Sequence, residues 1–187
     1  MTTREYSSPP CFLHEIDDSA GKKLESWEDI KAWRKARRDA LIQQRLVYDT
    51  SERLQRSAPI LAQLLAELNP ANAPVLGIYW PFRGEIDVRD VAHRHIERGG
   101  IVALPVVAEK SAPVEFWRWR PEVPMSRGLF NIPIPGEREI VKPDALIVPL
   151  VGFDRNAYRL GYGGGYYDRT LAVASPPPRR IGIAFAG

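Results

Sequence analysis

Two kinds of hydrophobic periodicity divide the chain into a helical part and a part rich in strands. Between residues 26 and 68, apolar residues recur at steps of three and four, the spacing of an amphipathic helix. After residue 74 they instead form short runs bounded by turn residues. Such runs suit strands that are buried on both faces of a sheet. The pattern therefore predicts helices first and a mainly parallel sheet afterwards.

Two helices are predicted in the first part. Ser26 is a candidate N-cap, and Asp29 stands three residues later, as in a capping box. A second helix is predicted over about 50–68. Pro59 lies inside it, and because proline lacks the backbone N–H, we expect a break or restart near Ser57. The predicted buried positions are Trp27, Ile30, Trp33, Ala36 and Ala40 in the first helix, and Leu61, Leu64, Leu65 and Leu68 in the second.

The strand-rich part predicts a parallel sheet. Its core runs are "VLGIYW" (75–80), "IVALPVV" (101–107), "ALIVPLV" (145–151) and "IGIAFA" (181–186). A helical face between the first two runs, Val88, Val91, Ala92 and Ile96, ends at Gly99–Gly100, which indicates a parallel β-α-β unit. The alternating "VEFWRW" (114–119) predicts an additional strand. The fold class is therefore α/β, an open, mostly parallel sheet with helices on both faces, a Rossmann-like three-layer sandwich.

The same pattern predicts the domain organisation and the place of a pocket. Residues 1–25 are expected to be an irregular leader, and 26–187 a single α/β domain. Ligands of open sheets bind beyond the carboxyl ends of the strands. The loops "PFRGE" (81–85) and "PVVAEKS" (105–111) and a glycine-rich loop should meet there. The long proline-rich connection 121–144 is expected to be functional or disordered.

Composition and charge indicate the cellular compartment and the kinds of partner to expect. The single cysteine, Cys11, can form no internal disulfide, which fits a reducing cytoplasm. No apolar run approaches the roughly 20 residues that cross a bilayer, and the N-terminus has no signal-peptide core, so a cytoplasmic protein without a membrane partner is expected. The net charge is only +3, but residues 31–45 hold six basic residues against one acid. Anionic partners are indicated, whether nucleotides, nucleic acids or acidic metabolites.

The stretch "RLGYGGGYYDR" (159–169) carries the strongest chemical signal. Its glycines allow consecutive backbone N–H groups to converge on an anion, and the helix predicted after them adds its positive end. Arg159 and Arg169 bracket the loop and suit phosphate oxygens. Asp168 suits that place if Mg²⁺ lies between it and the phosphate. The alternative is a tight turn with two surface arginines and an aspartate in the first turn of a helix.

The longer string "DALIVPLVGFDRNAYRLGYGGGYYDR" (144–169) resembles the signature of the 5-formyltetrahydrofolate cyclo-ligase family, also called 5,10-methenyltetrahydrofolate synthetases. Weaker similarity in "WRKARR", "GEIDV", "LP" and "FNIPIPGE" follows the family order. The resemblance implies an ATP- and Mg²⁺-dependent ligase that converts 5-formyltetrahydrofolate to 5,10-methenyltetrahydrofolate by phosphorylating the formyl oxygen, with release of ADP and phosphate. We expect this small molecule as partner, no nucleic acid, and a monomer or small homo-oligomer.

The resemblance also implies roles for individual residues. Tyr166, Asp168 and Arg159 would be catalytic, and Asp168 would bind Mg²⁺. ATP would be held by Arg34, by Lys31 or Lys35, and by Arg159, Gly161, Tyr162, Gly163, Gly164, Gly165 and Arg169. The folate would be held by Glu85 through the pterin N–H edge, by Phe130 through stacking, and by Tyr166 near the formyl group. The structural alternatives are core packing for Tyr166, a first-turn helix charge for Glu85 and a hydrophobic plug for Phe130.

The chain departs from the family pattern in two places. Val106 stands where relatives usually carry a basic residue, and the chain ends at Gly187 where relatives continue. The second departure motivates an alternative hypothesis, a paralogue that binds nucleotide or folate without turnover. A third hypothesis is a nucleic-acid-binding module built on the basic helix 27–47.

Overall fold

The computed structural model describes residues 26–154 and 156–185, so the leader predicted over residues 1–25, with Cys11, lies outside the described residues. The helices are α1 (Trp27–Val47), α2 (Thr50–Glu67), α3 (Arg89–Glu97) and α4 (Tyr166–Val173), with a 3-10 turn at Leu129–Asn131. The strands are β1 (Val75–Gly77), β2 (Ile101–Val106), β3 (Glu115–Trp119), β4 (Met125–Arg127), β5 (Pro133–Pro135), β6 (Ala145–Pro149), β7 (Gly152–Phe153), β8 (Arg159–Leu160) and β9 (Arg179–Ile183). Within these residues, no helix is both long and apolar enough to cross a membrane.

Five strands form the central sheet in the order β3-β2-β1-β6-β9. β1 pairs in parallel with β2 and with β6, and β6 pairs in parallel with β9. β3 runs antiparallel to β2 at one edge. All four predicted core strands and the additional strand are therefore present, and the predicted α/β class with a mostly parallel sheet is confirmed.

Helices cover both faces of this sheet. On one face, Leu64 and Leu68 of the α2 region and Val91 of α3 pack with buried sheet residues such as Val102 and Leu104. On the other face, Tyr166, Tyr167 and Leu171 of α4 pack on Ala103, Phe116, Leu146 and Val148. The Thr170 hydroxyl of α4 also accepts a hydrogen bond from the Val114 N–H at 2.9 Å. These contacts give the three layers that the sequence predicts.

Helix α1 packs outside the layers, against the short β7–β8 hairpin. Its N-terminus has the predicted capping box, in which the Ser26 hydroxyl accepts from the Asp29 N–H at 3.1 Å. Trp33 and Leu41 of α1 pack on the buried Leu160 of β8. Since Leu160 directly precedes the glycine loop, this contact fixes α1 beside that loop.

The predicted break near Ser57 is wrong. Helix α2 is continuous from Thr50 to Glu67, with Pro59 inside it. Proline removes one helical hydrogen bond, but Ile60 and Leu61, which follow it, pack against the core. The burial of these two side chains outweighs the cost of the proline to the helix. In the turn before the proline, the Ser57 hydroxyl donates a hydrogen bond to the Arg53 carbonyl at 2.6 Å.

The proline-rich connection 121–144 is ordered. It contains the antiparallel β4–β5 hairpin, with the 3-10 turn at its tip. Gly128 N–H donates to the Ile132 carbonyl at 3.0 Å, and Gly136 N–H to the Pro124 carbonyl at 2.7 Å. Leu129 and Phe130 of the hairpin tip line the same cleft as Pro105 and Pro149, at the carboxyl ends of β2 and β6.

Candidate active site

The strand order reverses between β1 and β6, and a cleft opens at that point. From β1 the chain passes to β2 on one side, whereas β6 is followed by β9 on the other. Ligands of open α/β sheets bind at the carboxyl ends of strands at such a reversal. The cleft there has a volume of about 780 Å³, within the range of small-molecule sites. It is lined by residues of all three loops that the sequence placed together.

The glycine loop, residues 161–165, forms one wall. Gly163 and Gly165 have φ values of 92° and 65°, a backbone conformation that favours glycine, and α4 begins directly after Gly165. The N–H groups of Gly163, Gly164 and Gly165 donate no hydrogen bond to any described residue. Free N–H donors at the start of a helix form an anion-binding concavity.

Three arginines surround this loop. Arg38 Nε donates to the Gly161 carbonyl at 2.7 Å, and Arg169 Nη2 donates to the Gly164 carbonyl at 2.8 Å. Arg159 forms an ion pair with Asp168. Burial lowers the pKa of Arg38, an effect that Asp39 opposes and Arg34 strengthens. An anion bound in the cleft would offset this cost of burying and clustering positive charge.

Asp168, in the first turn of α4, forms an ion pair with Arg159 of β8. Their side chains are 29% and 22% exposed, and both line the cleft. Across residues 26–154 and 156–185 no group of three or more histidine, cysteine, aspartate or glutamate side chains is arranged to hold a metal ion. Mg²⁺ commonly binds through one or two carboxylates together with substrate phosphates. Asp168 therefore suits a Mg²⁺ site that is shared with substrate phosphates, and not a site formed by protein ligands alone.

The facing wall is apolar. Its residues come from the β4–β5 hairpin and are here called the hairpin wall: Leu129, Phe130, Ile132 and Ile134. Phe130 is 64% exposed, its backbone φ is 62°, and its ring lies 6.4 Å from that of Tyr166 at an angle of 73°. An exposed aromatic ring that lines the cleft is available to pack on a flat ligand.

Glu85 lies deeper in the cleft. Its Oε1 accepts from the Tyr162 hydroxyl at 2.6 Å, and its Oε2 accepts from the Phe82 N–H at 2.9 Å. Burial raises the pKa of Glu85, while the hydrogen bonds from Tyr162 and Phe82 and the charge of Arg45 act in the opposite direction. A carboxylate oriented in this way can accept hydrogen bonds from a flat donor edge.

Most of the residues singled out in the sequence meet in this cleft. Its lining includes Arg34, Glu85, Phe130, Arg159, Gly161, Tyr162, Gly163, Gly164, Gly165, Tyr166, Asp168 and Arg169. Lys31 and Lys35 are exposed and do not line it. Lys31 lies instead over the Trp27 ring, with Nζ 5.4 Å from its centre. The placement of these lysines therefore does not support the nucleotide contact predicted for one of them.

Two arginines of the site were missed in the sequence. Arg38 stands four residues after Arg34, so both lie on one face of α1, and this spacing was a usable signal. Arg45 stands near the end of the same helix and is only 8% exposed. Nothing in the basic run distinguishes a buried arginine from the solvated ones around it.

Fold and site together define a class: an α/β protein with a cleft at its strand reversal, in which a glycine loop with free N–H donors lies opposite an apolar wall. The family model of the 5-formyltetrahydrofolate cyclo-ligases matches residues 30–186, and the chain belongs to that family.

Individual relatives agree with this assignment. The chain is 27% identical over 155 residues to the 5-formyltetrahydrofolate cyclo-ligase of Mycoplasma pneumoniae, covering 81% of this chain and 84% of the relative. It is 32% identical over 123 residues to that of Haemophilus influenzae, covering 63% and 66%. The NMR structure of Aquifex aeolicus 5,10-methenyltetrahydrofolate synthetase superposes with a TM-score of 0.69 at 27% identity, covering 81% of this chain and 77% of that one. The enzyme family and the fold predicted from the sequence are confirmed.

Proposed function

We propose that this chain converts 5-formyltetrahydrofolate into 5,10-methenyltetrahydrofolate and consumes ATP in doing so. The observation that carries the proposal is the pairing of two unlike walls in one cleft. The glycine loop offers free N–H donors and nearby arginines, which suit a triphosphate. The hairpin wall and Glu85 offer an apolar surface and an acceptor, which suit a flat pterin with a donor edge.

The nucleotide side is supported by charge. Arg34, Arg38, Arg159 and Arg169 all line the cleft around the glycine loop, and guanidinium groups match phosphate oxygens. Asp168 would hold Mg²⁺ together with the phosphates, in exchange for its ion pair with Arg159. The bound ion would neutralise part of the phosphate charge.

The folate side is supported by shape. Glu85 would accept hydrogen bonds from the pterin edge, and Phe130 would pack on a flat ring of the substrate. Tyr166 lies between the two sides, because it belongs to the first turn of α4 and its ring makes an edge-to-face contact with that of Phe130. We assign Tyr166 to the neighbourhood of the formyl group, where the two substrates meet.

The reaction follows from the weakness of the formyl carbon as an electrophile. The formyl oxygen attacks the γ-phosphorus of ATP, so that an O–P bond forms and the bond to ADP breaks. N10 then attacks the activated formyl carbon, the C–O bond breaks, phosphate departs and N10 loses its proton. Such phosphoryl transfer needs positioning and charge neutralisation more than a protein nucleophile. The glycine loop and the arginines supply both.

The test is an absorbance assay on the purified chain. With 5-formyltetrahydrofolate and MgATP, we expect the near-ultraviolet absorbance of the methenyl product to rise, together with an equimolar amount of ADP. A flat trace with measurable binding of nucleotide or folate would contradict turnover and favour the paralogue that binds without catalysis. Failure to bind either compound would refute the proposal.

A further inference from the structure

Arg45 is a buried cation that is connected to the carboxylate of Glu85 through the Tyr162 hydroxyl. It is 8% exposed, and its Nε donates to the Arg83 carbonyl at 2.9 Å. Its Nη2 donates to the Tyr162 hydroxyl at 2.7 Å. No carboxylate in the described ranges lies within ion-pair distance of it. Burying a guanidinium is costly unless it is compensated, so this arrangement calls for a role.

The direction of the hydrogen bonds is fixed by chemistry. A guanidinium group has donors and no acceptor, so the Tyr162 oxygen accepts from Arg45. The single Tyr162 proton is then directed to Glu85 Oε1 at 2.6 Å. Burial raises the pKa of Tyr162, and Glu85 raises it further, so the phenol keeps its proton. The hydrogen bond from Arg45 thus orients the Tyr162 hydroxyl so that it donates its proton to Glu85.

The second oxygen of Glu85 is fixed independently. Oε2 accepts from the Phe82 N–H at 2.9 Å, within the loop that follows β1. With one donor on each oxygen, the plane of the carboxylate is set from two sides. Each oxygen still keeps a second acceptor position for a ligand.

We infer that Arg45 and Tyr162 are positioning residues, which hold Glu85 oriented and ionised as the acceptor for two adjacent N–H groups of the pterin edge. The inference rests on the proposed function for the identity of that ligand. Tyr162 belongs to the glycine loop, so its side chain connects the loop proposed to bind ATP with Glu85, the residue proposed to bind the pterin.

The charged and titratable groups around Glu85 are Arg45, Tyr162, Tyr79 and Tyr167. The Tyr79 hydroxyl donates to the Ile86 carbonyl at 2.8 Å, so it is engaged elsewhere. Burial raises the pKa of Glu85, and Tyr162 is the first of the groups that oppose this. Loss of the Tyr162 hydroxyl therefore leaves a carboxylate that protonates at higher pH.

The test variant is Tyr162→Phe, which keeps the ring and removes the hydroxyl. We expect the KM for 5-formyltetrahydrofolate to rise about ten- to a hundredfold, the range for losing a hydrogen bond to a charged group, and to rise more than the KM for ATP, because the glycine loop offers the nucleotide its backbone N–H groups. The acid limb of the pH profile of kcat/KM for the folate should shift to higher pH. A purely structural role would not move that limb. The control is Tyr158→Phe, since Tyr158 is exposed and outside the cleft.

A second pair of variants removes ambiguity from misfolding. Arg45→Met should raise the same KM, and Arg45→Lys, which keeps a charged donor, should restore part of it. If Arg45→Met does not fold, the pH profiles of Arg45→Lys and Tyr162→Phe decide, because both should shift toward higher pH. Wild-type profiles in both would overturn the inference.

Glu85→Gln separates this inference from the proposed function. A raised folate KM in Glu85→Gln together with Tyr162→Phe supports the positioning role. A raised KM in Glu85→Gln alone, with Tyr162→Phe like the wild type, overturns the positioning role and leaves the proposed function standing. A wild-type folate KM in Glu85→Gln refutes the folate role of Glu85, and the inference falls with it.

Discussion

Gly163→Ala tests whether the glycine loop binds the nucleotide, because it adds only one methyl group to that loop. Gly163 has φ 92°, and an alanine Cβ there would lie 3.3 to 3.4 Å from the guanidinium atoms of Arg38. The left-handed backbone alone costs a non-glycine residue about 1–2 kcal/mol. The guanidinium must also shift, which weakens its 2.7 Å hydrogen bond to the Gly161 carbonyl.

The expected loss of nucleotide affinity follows from these contacts. A hydrogen bond to a charged group contributes about 1.5–3 kcal/mol, which corresponds to a roughly ten- to hundredfold weaker Kd if Arg38 no longer supports the loop and the phosphates. The assay is calorimetric titration with a non-hydrolysable ATP analogue and Mg²⁺. Urea unfolding of the same variant gives its loss of stability, expected at about 1–2 kcal/mol.

Gly99→Ala is the matched control. Gly99 has nearly the same backbone, φ 86°, and a Cβ there would meet nothing within 4 Å. It should lose similar stability and keep wild-type affinity for the analogue. If Gly163→Ala binds the analogue as well as Gly99→Ala does, the glycine loop is not the nucleotide site.

Three further predictions follow from single contacts. Asp168→Ala should abolish turnover while the cooperative thermal transition remains, and wild-type rates would exclude the assigned Mg²⁺ role. Gly164→Ala should lower kcat more than it weakens ATP binding, because its Cβ would lie 2.9 Å from the Tyr166 ring; an unchanged kcat would argue against a role for that ring. Hydrogen bonds from Arg138 and then Trp117 lower the pKa of Glu115 to about 2, so the stability they confer is present above the ordinary value of 4.5 and is lost as pH falls toward 2. The Tm deficit of Glu115→Gln should therefore be larger at pH 6 than at pH 2, and a constant deficit would contradict this.

The fold could be predicted well from the sequence where local pattern and tertiary packing agree. The capping box at Ser26 and Asp29, the buried strand runs and the β-α-β unit are of this kind. Pro59 shows where they disagree, since local chemistry favours a break and the packing of the flanking residues keeps α2 intact. Sequence reasoning weighs the first effect and has no access to the second.

The candidate site could be predicted to the level of its loops. Residues 159–169 form one contiguous motif, and the strand pattern locates the cleft around it. The contact between Arg45 and Tyr162 joins residues 117 positions apart, so no local signal announces it. Whether Lys31 or Lys35 contacts the nucleotide stays a prediction, because helical spacing leaves open which part of a basic face meets the cleft.

We propose that ATP bound in the cleft activates the formyl oxygen by transferring a phosphoryl group to it. The most direct measurement uses 5-formyltetrahydrofolate labelled with ¹⁸O in the formyl group, with unlabelled MgATP and water, followed by mass spectrometry of the phosphate released. The released phosphate should carry the formyl ¹⁸O. Unlabelled phosphate accompanying methenyl product would contradict it, because the formyl oxygen would then have left by another route.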